Sequence, residues 1–496
     1  MRTKTAISYL VVALAMMLTP LAGLLWYQPD PEAQTAELAE WPAALDRNGV
    51  VNIEFLPQAG NYFDDHFAYR DELITLHAQV QTGLLGVSPT DQVIYGSDGW
   101  LYYGGTLDDF LGSADVSERA RYNGAHNLHL MQEYVQARGA RFAVVVAPNK
   151  NSVYPEHMPW WYLPGNDDEP AALAQAFADA GVNYIDLFDL FGGAESNAAN
   201  STTPAQYFSR DSHWNNRGAL AAYERIMAEL GRTHLELDIN QSTQRVDHKG
   251  DLDVLLFPTA VQPEANDYFS LPSFAYSSTD KTVEASSSAT VNPQGIGTLL
   301  MYRDSFADAL IPLFSSTFHK AYYSKLLPWD LGDVERYGPD VVLVESAQRS
   351  TLNFSANPPA MPGPVVEADR YANAPVRDTA TTLNFALDGP YLVASGILDE
   401  AVGSGHVRVF VRIDGTQVRE AYLTTTRSLA NRQNPAAQAT GTSGQAPSAT
   451  TDLGYKIFLP NSDGQLNGRE LDVIIESKEG TYVIRTDIFD GDGQYE

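Results

Sequence analysis

Asp211-Ser212-His213-Trp214 and, farther along the chain, Arg303-Asp304-Ser305-Phe306 supply a carboxylate, an imidazole and a hydroxyl. Acyl transfer through serine needs these three groups. A hydroxyl becomes a useful nucleophile when an imidazole takes its proton and a carboxylate fixes the imidazole tautomer. Asp211 and His213 stand at i and i+2, so in extended backbone both side chains face the same side. Ser305 then joins them from a distant segment. A plainer reading competes: Asp and Ser are favoured helix N-caps, so Ser305 could cap the helix after it and Asp211 the helix beginning near Asn215.

The flanking segments must place these groups. Gly297 to Tyr302 reads as a strand and Phe306 to Ile311 as a helix, which sets Ser305 at a strand-to-helix turn whose free N–H groups could meet an oxyanion. Ala140–Ala147, Val182–Leu187 and Asp340–Glu345 read as further strands. Glu118–Arg138, Ala171–Ala180 and Asn216–Leu230 read as helices. Near-continuous apolar strands between helices predict an α/β domain over residues 50–355, with a mostly parallel sheet covered on both faces. Its site would gather beyond the strand carboxyl ends.

Pro358, Pro359, Pro362 and Pro364 mark a linker at 356–375. Alternating runs from 376 to 496, with turns such as Asp414-Gly415 and Asp463-Gly464, predict an all-β sandwich. Residues 430–451 read as a flexible loop within it.

The chain has 496 residues, no cysteine, and 32 basic against 62 acidic residues, a net charge of −30. Disulfides and thiolate metal sites are excluded. Nucleic acid and anionic membrane surfaces would be repelled. Residues 1–27, with Arg2, Lys4 and an apolar run from Ala6 to Trp26, read as a signal-anchor or signal peptide that places the rest outside the cytoplasm. Residues 28–49 read as a tether.

A set of stretches in one order resembles the SGNH-hydrolase-like alginate O-acetyltransferases of bacterial exopolysaccharide export. They are residues 61–71, 96–103, Ala147-Pro148-Asn149-Lys150, Val153-Tyr154-Pro155, the Asp-Ser-His-Trp and Arg-Asp-Ser-Phe motifs, Gly250-Asp251-Leu252, and residues 344–349. The resemblance covers about residues 60 to 350 and implies an SGNH-hydrolase-like three-layer domain. Ser305 is then the nucleophile, His213 the general base and Asp211 the orienting carboxylate, in a chain order inverted from ordinary SGNH esterases. It also implies a polysaccharide acceptor, a membrane-bound O-acyltransferase as acetyl supplier, and a carbohydrate-binding role for the β-domain. Arg303 and Asn149 depart from the pattern and bear on the oxyanion hole, for which the Ser305 N–H and the Asn149 amide are candidates.

Lys150 and Arg349 could anchor a polar substrate or the acetyl donor, or be solvated surface cations. Trp160 and Trp161, following Tyr154, could stack on sugar rings or pack in the core. His66, His126, His129 and His157 lack the spacing of zinc motifs, and the acidic stretch Asp487 to Asp492 does not match a calcium loop, so no metal or other cofactor is expected. Beside O-acetyl transfer stand two alternatives, an extracytoplasmic carbohydrate esterase with the same triad and a non-catalytic glycan-binding component of an export complex.

Overall fold

The computed structural model describes residues 39–490, apart from 46–48, 115, 167, 192–204, 278–285, 404, 427–428, 430–451 and 463, together with Leu14. The expected anchor, most of the tether, the expected loop at 430–451 and the end of the acidic C-terminal stretch lie outside the described residues. Among the described residues no helix is long and apolar enough to cross a membrane.

Seven strands make the central sheet: β1 (Arg141–Ala147), β2 (Tyr184–Ile185), β3 (Ala275–Tyr276), β4 (Ser287–Val291), β5 (Thr298–Tyr302), β6 (Lys320–Ser324) and β7 (Val341–Ala347). Their order is β2-β1-β7-β5-β6-β4-β3. The run from β2 to β6 is parallel, while β4 and β3 add an antiparallel edge. An apolar run such as β1 cannot leave either face wet. Ala143, Val145 and Ala147 pack with residues of the helices Asn216–Glu229 and Ile311–Thr317 on one face; Phe142, Val144 and Val146 pack with Glu118–Gln136 and Glu169–Ala180 on the other. This is the three-layer α/β architecture expected from the sequence.

Two local expectations change. The strand read at 182–187 reduces to Tyr184–Ile185. The helix read from Phe306 starts as a 3₁₀ turn, Phe306–Ala309, and becomes α-helical only at Ile311–Thr317, where Pro312 falls in the first turn. Proline lacks an N–H and would break an α-helix running through from Phe306.

Beyond the sheet, the Pro-rich segment is packed rather than free. Met361 and Tyr371 are buried, the Gly363 N–H donates to the Phe458 carbonyl at 3.1 Å, and Val365–Val366 pairs with Gln417–Glu420 as an edge strand, where proline neighbours are tolerated. The C-terminal part is all β: a five-stranded sheet (Val365–Val366, Gln417–Glu420, Arg408–Ile413, Glu470–Ser477, Gly480–Ile488) and a four-stranded one (Asn384–Asp388, Tyr391–Ile397, Gly454–Pro460, Tyr422–Thr424), antiparallel throughout. Val409, Val411, Val473 and Ile475 from the first meet Leu392, Ala394, Ile457 and Leu459 from the second to form its core. The sandwich is seated on the α/β domain through Asn127. Its side chain donates to the carbonyls of Phe354 (3.0 Å) and Leu423 (2.7 Å) and accepts from the Leu423 N–H (3.0 Å).

Candidate active site

Parallel strands carry their following loops to one edge of the sheet. Asn149 follows β1, Ser305 follows β5, and Gln348 and Arg349 follow β7, so the three loops share the carboxyl edge. Above Ser305 lies the 205–215 loop, closed by a Tyr207–Trp214 bridge.

Ser305 Oγ is 2.8 Å from His213 Nε2, and His213 Nδ1 is 2.7 Å from Asp211 Oδ1, which also accepts the His213 backbone N–H at 2.9 Å. The capping alternative describes neither residue. Ser305 makes no side-chain cap bond, and Asn215 caps the helix Asn216–Glu229 through the N–H groups of Arg217 and Gly218. Trp214 ties the two motifs together, its indole N–H donating to the Phe306 carbonyl at 2.9 Å.

Burial opposes ionisation of Asp211, yet hydrogen bonds from His213 and from His248, whose Nε2 lies 2.9 Å from Oδ2, outweigh it and hold the carboxyl well below the usual range. Burial likewise works against an imidazolium at His213. The Asp211 bond and the charges of Asp211 and Asp251 reverse that and raise its pKa, while Arg349 pulls the other way.

Asp251 fixes the loop from below. It accepts the Ser212 N–H at 2.7 Å and the Ser212 hydroxyl at 2.6 Å, and its own N–H donates to Asp211 Oδ2 at 3.1 Å. Gly250 lets it approach, since a Cβ there would lie 2.3 Å from the Arg210 carbonyl oxygen. Glu264 takes the N–H groups of Ser209 (2.8 Å) and Arg210 (2.9 Å).

The nucleophile turn is pinned to β7. Asp304 accepts N–H groups from Phe306 (2.8 Å) and Ala347 (2.6 Å), and its own N–H donates to Glu345 at 3.0 Å. Burial, joined by the Asp304 charge, pushes the Glu345 carboxyl well above the usual carboxylate range. The Phe306 N–H is taken by Asp304, while the Ser305 N–H has no backbone or side-chain acceptor among the described residues.

The remaining expected site residues divide. Lys150 is no substrate anchor: it is buried, and its ammonium donates to the carbonyls of Phe208 (3.1 Å), Ser209 (3.0 Å) and Asp211 (2.6 Å). Burial pushes it down to about 7, against the pull of Asp211, Glu264 and Asp251. Three acceptors nevertheless call for three hydrogens, which only the ammonium carries. Arg303 is also committed, to Asp308 and to the Asp304 carbonyl (3.0 Å). Tyr154 is buried scaffold, its hydroxyl accepting the Gln206 N–H at 2.9 Å. The Asn149 N–H goes to Gln348 (3.0 Å) and its side-chain amide to Asp109 (2.7 Å), which leaves one amide hydrogen and a buried, unpartnered Oδ1.

Arg349 lies over the rings of Tyr103 (5.3 Å) and Phe306 (5.2 Å), beside the nucleophile. Trp160, 83% exposed, and Trp161 form an edge-to-face pair on the surface. The four histidines considered for a metal bond separate neighbours: His66 the Tyr62 carbonyl, His126 Glu420, His129 Glu133 and His157 Asp98. Asp211, His213 and Asp251 do bring donor atoms within 4.8 Å of one another, but within the triad these atoms bond each other and Ser212.

Sequence reasoning missed His248, Glu264, Glu345 and Gln348 and gave Asp251 no role. The available signals were the Gly250-Asp251-Leu252 stretch and residues 344–349, which hold Glu345 and Gln348.

Residues 93–291 match the family model described as SGNH hydrolase-like domain, acetyltransferase AlgX; Ser305 lies beyond the matched stretch. Over 170 residues the chain is 30% identical to the "Probable alginate O-acetylase AlgJ" of Pseudomonas aeruginosa, covering 32% of this chain and 40% of that protein's length. Among solved structures, Bacillus cereus PatB1 with a sulfonyl adduct is similar at 17% identity and TM-score 0.41, over 53% of this chain and 97% of that one. The O-acetyltransferase domain of Pseudomonas putida AlgJ is similar at 18% identity and TM-score 0.35, over 52% and 92%.

Proposed function

We propose that this chain moves an acetyl group through a Ser305 acyl-enzyme onto hydroxyls of an exported polysaccharide, a reading supported by the match of residues 93–291 to the SGNH hydrolase-like acetyltransferase model. The observation that carries the reading is the unbroken relay from Ser305 through His213 to Asp211.

In the first half, Ser305 Oγ attacks the acetyl carbonyl while His213 Nε2 takes its proton. The Ser305 N–H meets the developing oxyanion, and His213 returns the proton to the leaving group. In the second half a sugar hydroxyl gives its proton to His213 and attacks the acyl carbon; as the bond from that carbon to Ser305 Oγ breaks, His213 Nε2 hands the proton to Oγ and the serine is regenerated. Asp211 stays ionised throughout and steadies the imidazolium. Arg349, set over Phe306, orients an anionic part of donor or acceptor.

The acetyl supplier is a membrane-bound O-acyltransferase. The chain works outside the cytoplasm, held at the inner membrane by residues 6–26, and its β-sandwich holds the glycan. A second reading, esterase, draws on the partial exposure of the His213 side chain (22%), which lets water compete for the acyl-enzyme.

The test is acetyl release and transfer from an activated acetyl ester, with and without an oligosaccharide panel, for wild type and Ser305→Ala. Acetylated oligosaccharide from wild type alone is the expected result. Free acetate alone, lost in Ser305→Ala, would make the chain an esterase, and equal background from both proteins would leave a glycan-binding component.

A further inference from the structure

The helix Arg70–Val80 and its continuation Gln81–Leu85 are inside out. Thr75, Ala78 and Thr82, all small, form the buried face, whereas Leu73, Leu76, Val80 and Leu84 form one stripe facing outward. At 100° per residue the two sets lie on opposite sides of the helix. A helix that merely closed a core would turn its leucines inward. Here the inward face meets Thr259 and the cluster of Val93, Leu101, Leu252 and Phe257, which accepts only small side chains. Leu84 is 78% exposed, and further exposed apolar side chains, Ile53 (87%), Leu56, Val50 and Val51, lie at the start of the preceding helix Phe55–His66.

Charge excludes one kind of partner. Residues 70–85 carry Arg70, itself paired with Asp71, and His77 against Asp71 and Glu72, so the segment has no basic excess to seek anionic headgroups. The chain's own path supplies the occupant. From Ala39, whose N–H donates to Asp65 at 2.9 Å, the backbone runs along the helix Phe55–His66, with Trp41 edge-on to Phe55, Tyr62 and Phe63. Only about a dozen residues separate the apolar run ending at Trp26 from that point, at most roughly 40 Å of extended chain.

We infer that this outward face, Leu73, Leu76, Val80 and Leu84, docks on the lipid surface of the bilayer that residues 6–26 enter. The inference rests on the anchoring proposed above. The short tether keeps the face at high effective concentration beside the lipid, so modest apolar contact suffices without electrostatic attraction. The leucines enter the boundary between headgroups and acyl chains, which lays the domain on the membrane in one fixed orientation.

Because the chain has no cysteine, the test is clean. Leu76→Cys, Leu84→Cys and, as a control on the sandwich, Lys478→Cys are made in the full chain and labelled with an environment-sensitive fluorophore. They are reconstituted into phosphatidylcholine vesicles with and without spin-labelled lipid. All three positions are exposed, so none of the substitutions threatens the fold. Labels at 76 and 84 should be quenched by the spin-labelled lipid at least about twofold more than the label at 478, independently of salt. Vesicles that float with the protein while labels 76 and 84 are quenched no more than 478 would overturn the inference and leave the anchor standing. Protein that does not float with vesicles would remove the anchor and this inference together. Neither result depends on acetyl transfer.

Discussion

Replacing Lys150 by methionine separates support of the site from contact with substrate. The ammonium is buried and holds three carbonyls of the Asp211 loop at 2.6, 3.0 and 3.1 Å. Methionine keeps much of the apolar stem and removes every donor. A buried acceptor left unpaired costs about 1–3 kcal/mol, while release from burying an ammonium, itself worth several kcal/mol, offsets part of that. A net loss of about 2–4 kcal/mol is expected. One of the three carbonyls belongs to Asp211 itself, so the loop shifts under the triad, and a misplacement of about 1 Å costs about 10²-fold in rate. Acetyl release from an activated ester should therefore show kcat lowered about 100-fold with KM nearly unchanged, together with a lower urea midpoint at constant m. A raised KM with unaltered kcat and midpoint would refute the reasoning and make Lys150 a substrate contact.

Two further outcomes follow from the same geometry. His213 must be neutral to take a proton and its pKa is raised above 6.5, so the acid limb of the pH–rate profile should lie above that value; Arg349→Ala removes an opposing charge and should move the limb further alkaline. Gly250→Ala puts a Cβ where only 2.3 Å separates it from the Arg210 carbonyl oxygen, so Asp251 should be pushed off Ser212 and kcat/KM should fall at least about tenfold, or ~1.4 kcal/mol, while near-UV circular dichroism stays native.

The α/β layout was legible because strands such as Phe142–Val146 must bury both faces and their helices carry one apolar stripe. The meeting of Asp211, His213 and Ser305 was legible from residue type and i, i+2 spacing. Their supports were not. Asp251, Glu264, Glu345 and Gln348 act from four other segments, and no local pattern says which carboxylate will lie under which loop. Lys150 misled because a lysine in sequence reads as a solvated cation, whereas three carbonyls around one pocket can hold an ammonium in the interior. Within the Pro-rich stretch, proline bars a central strand but suits the edge position that Val365 and Val366 occupy.

The strand order has a consequence for how the site comes into being. The nucleophile follows β5, but β5 is joined to β1 only through β7, which leaves the ribosome later and slides between them. The turn carrying Ser305 is likewise clamped by the Ala347 N–H at the far end of β7. A nascent chain that has emerged only as far as Ser305 owns every reactive group yet has no seat for the serine. The site is assembled by the last strand of the central sheet to arrive, so a chain truncated before β7 carries the three groups without the clamp that seats Ser305.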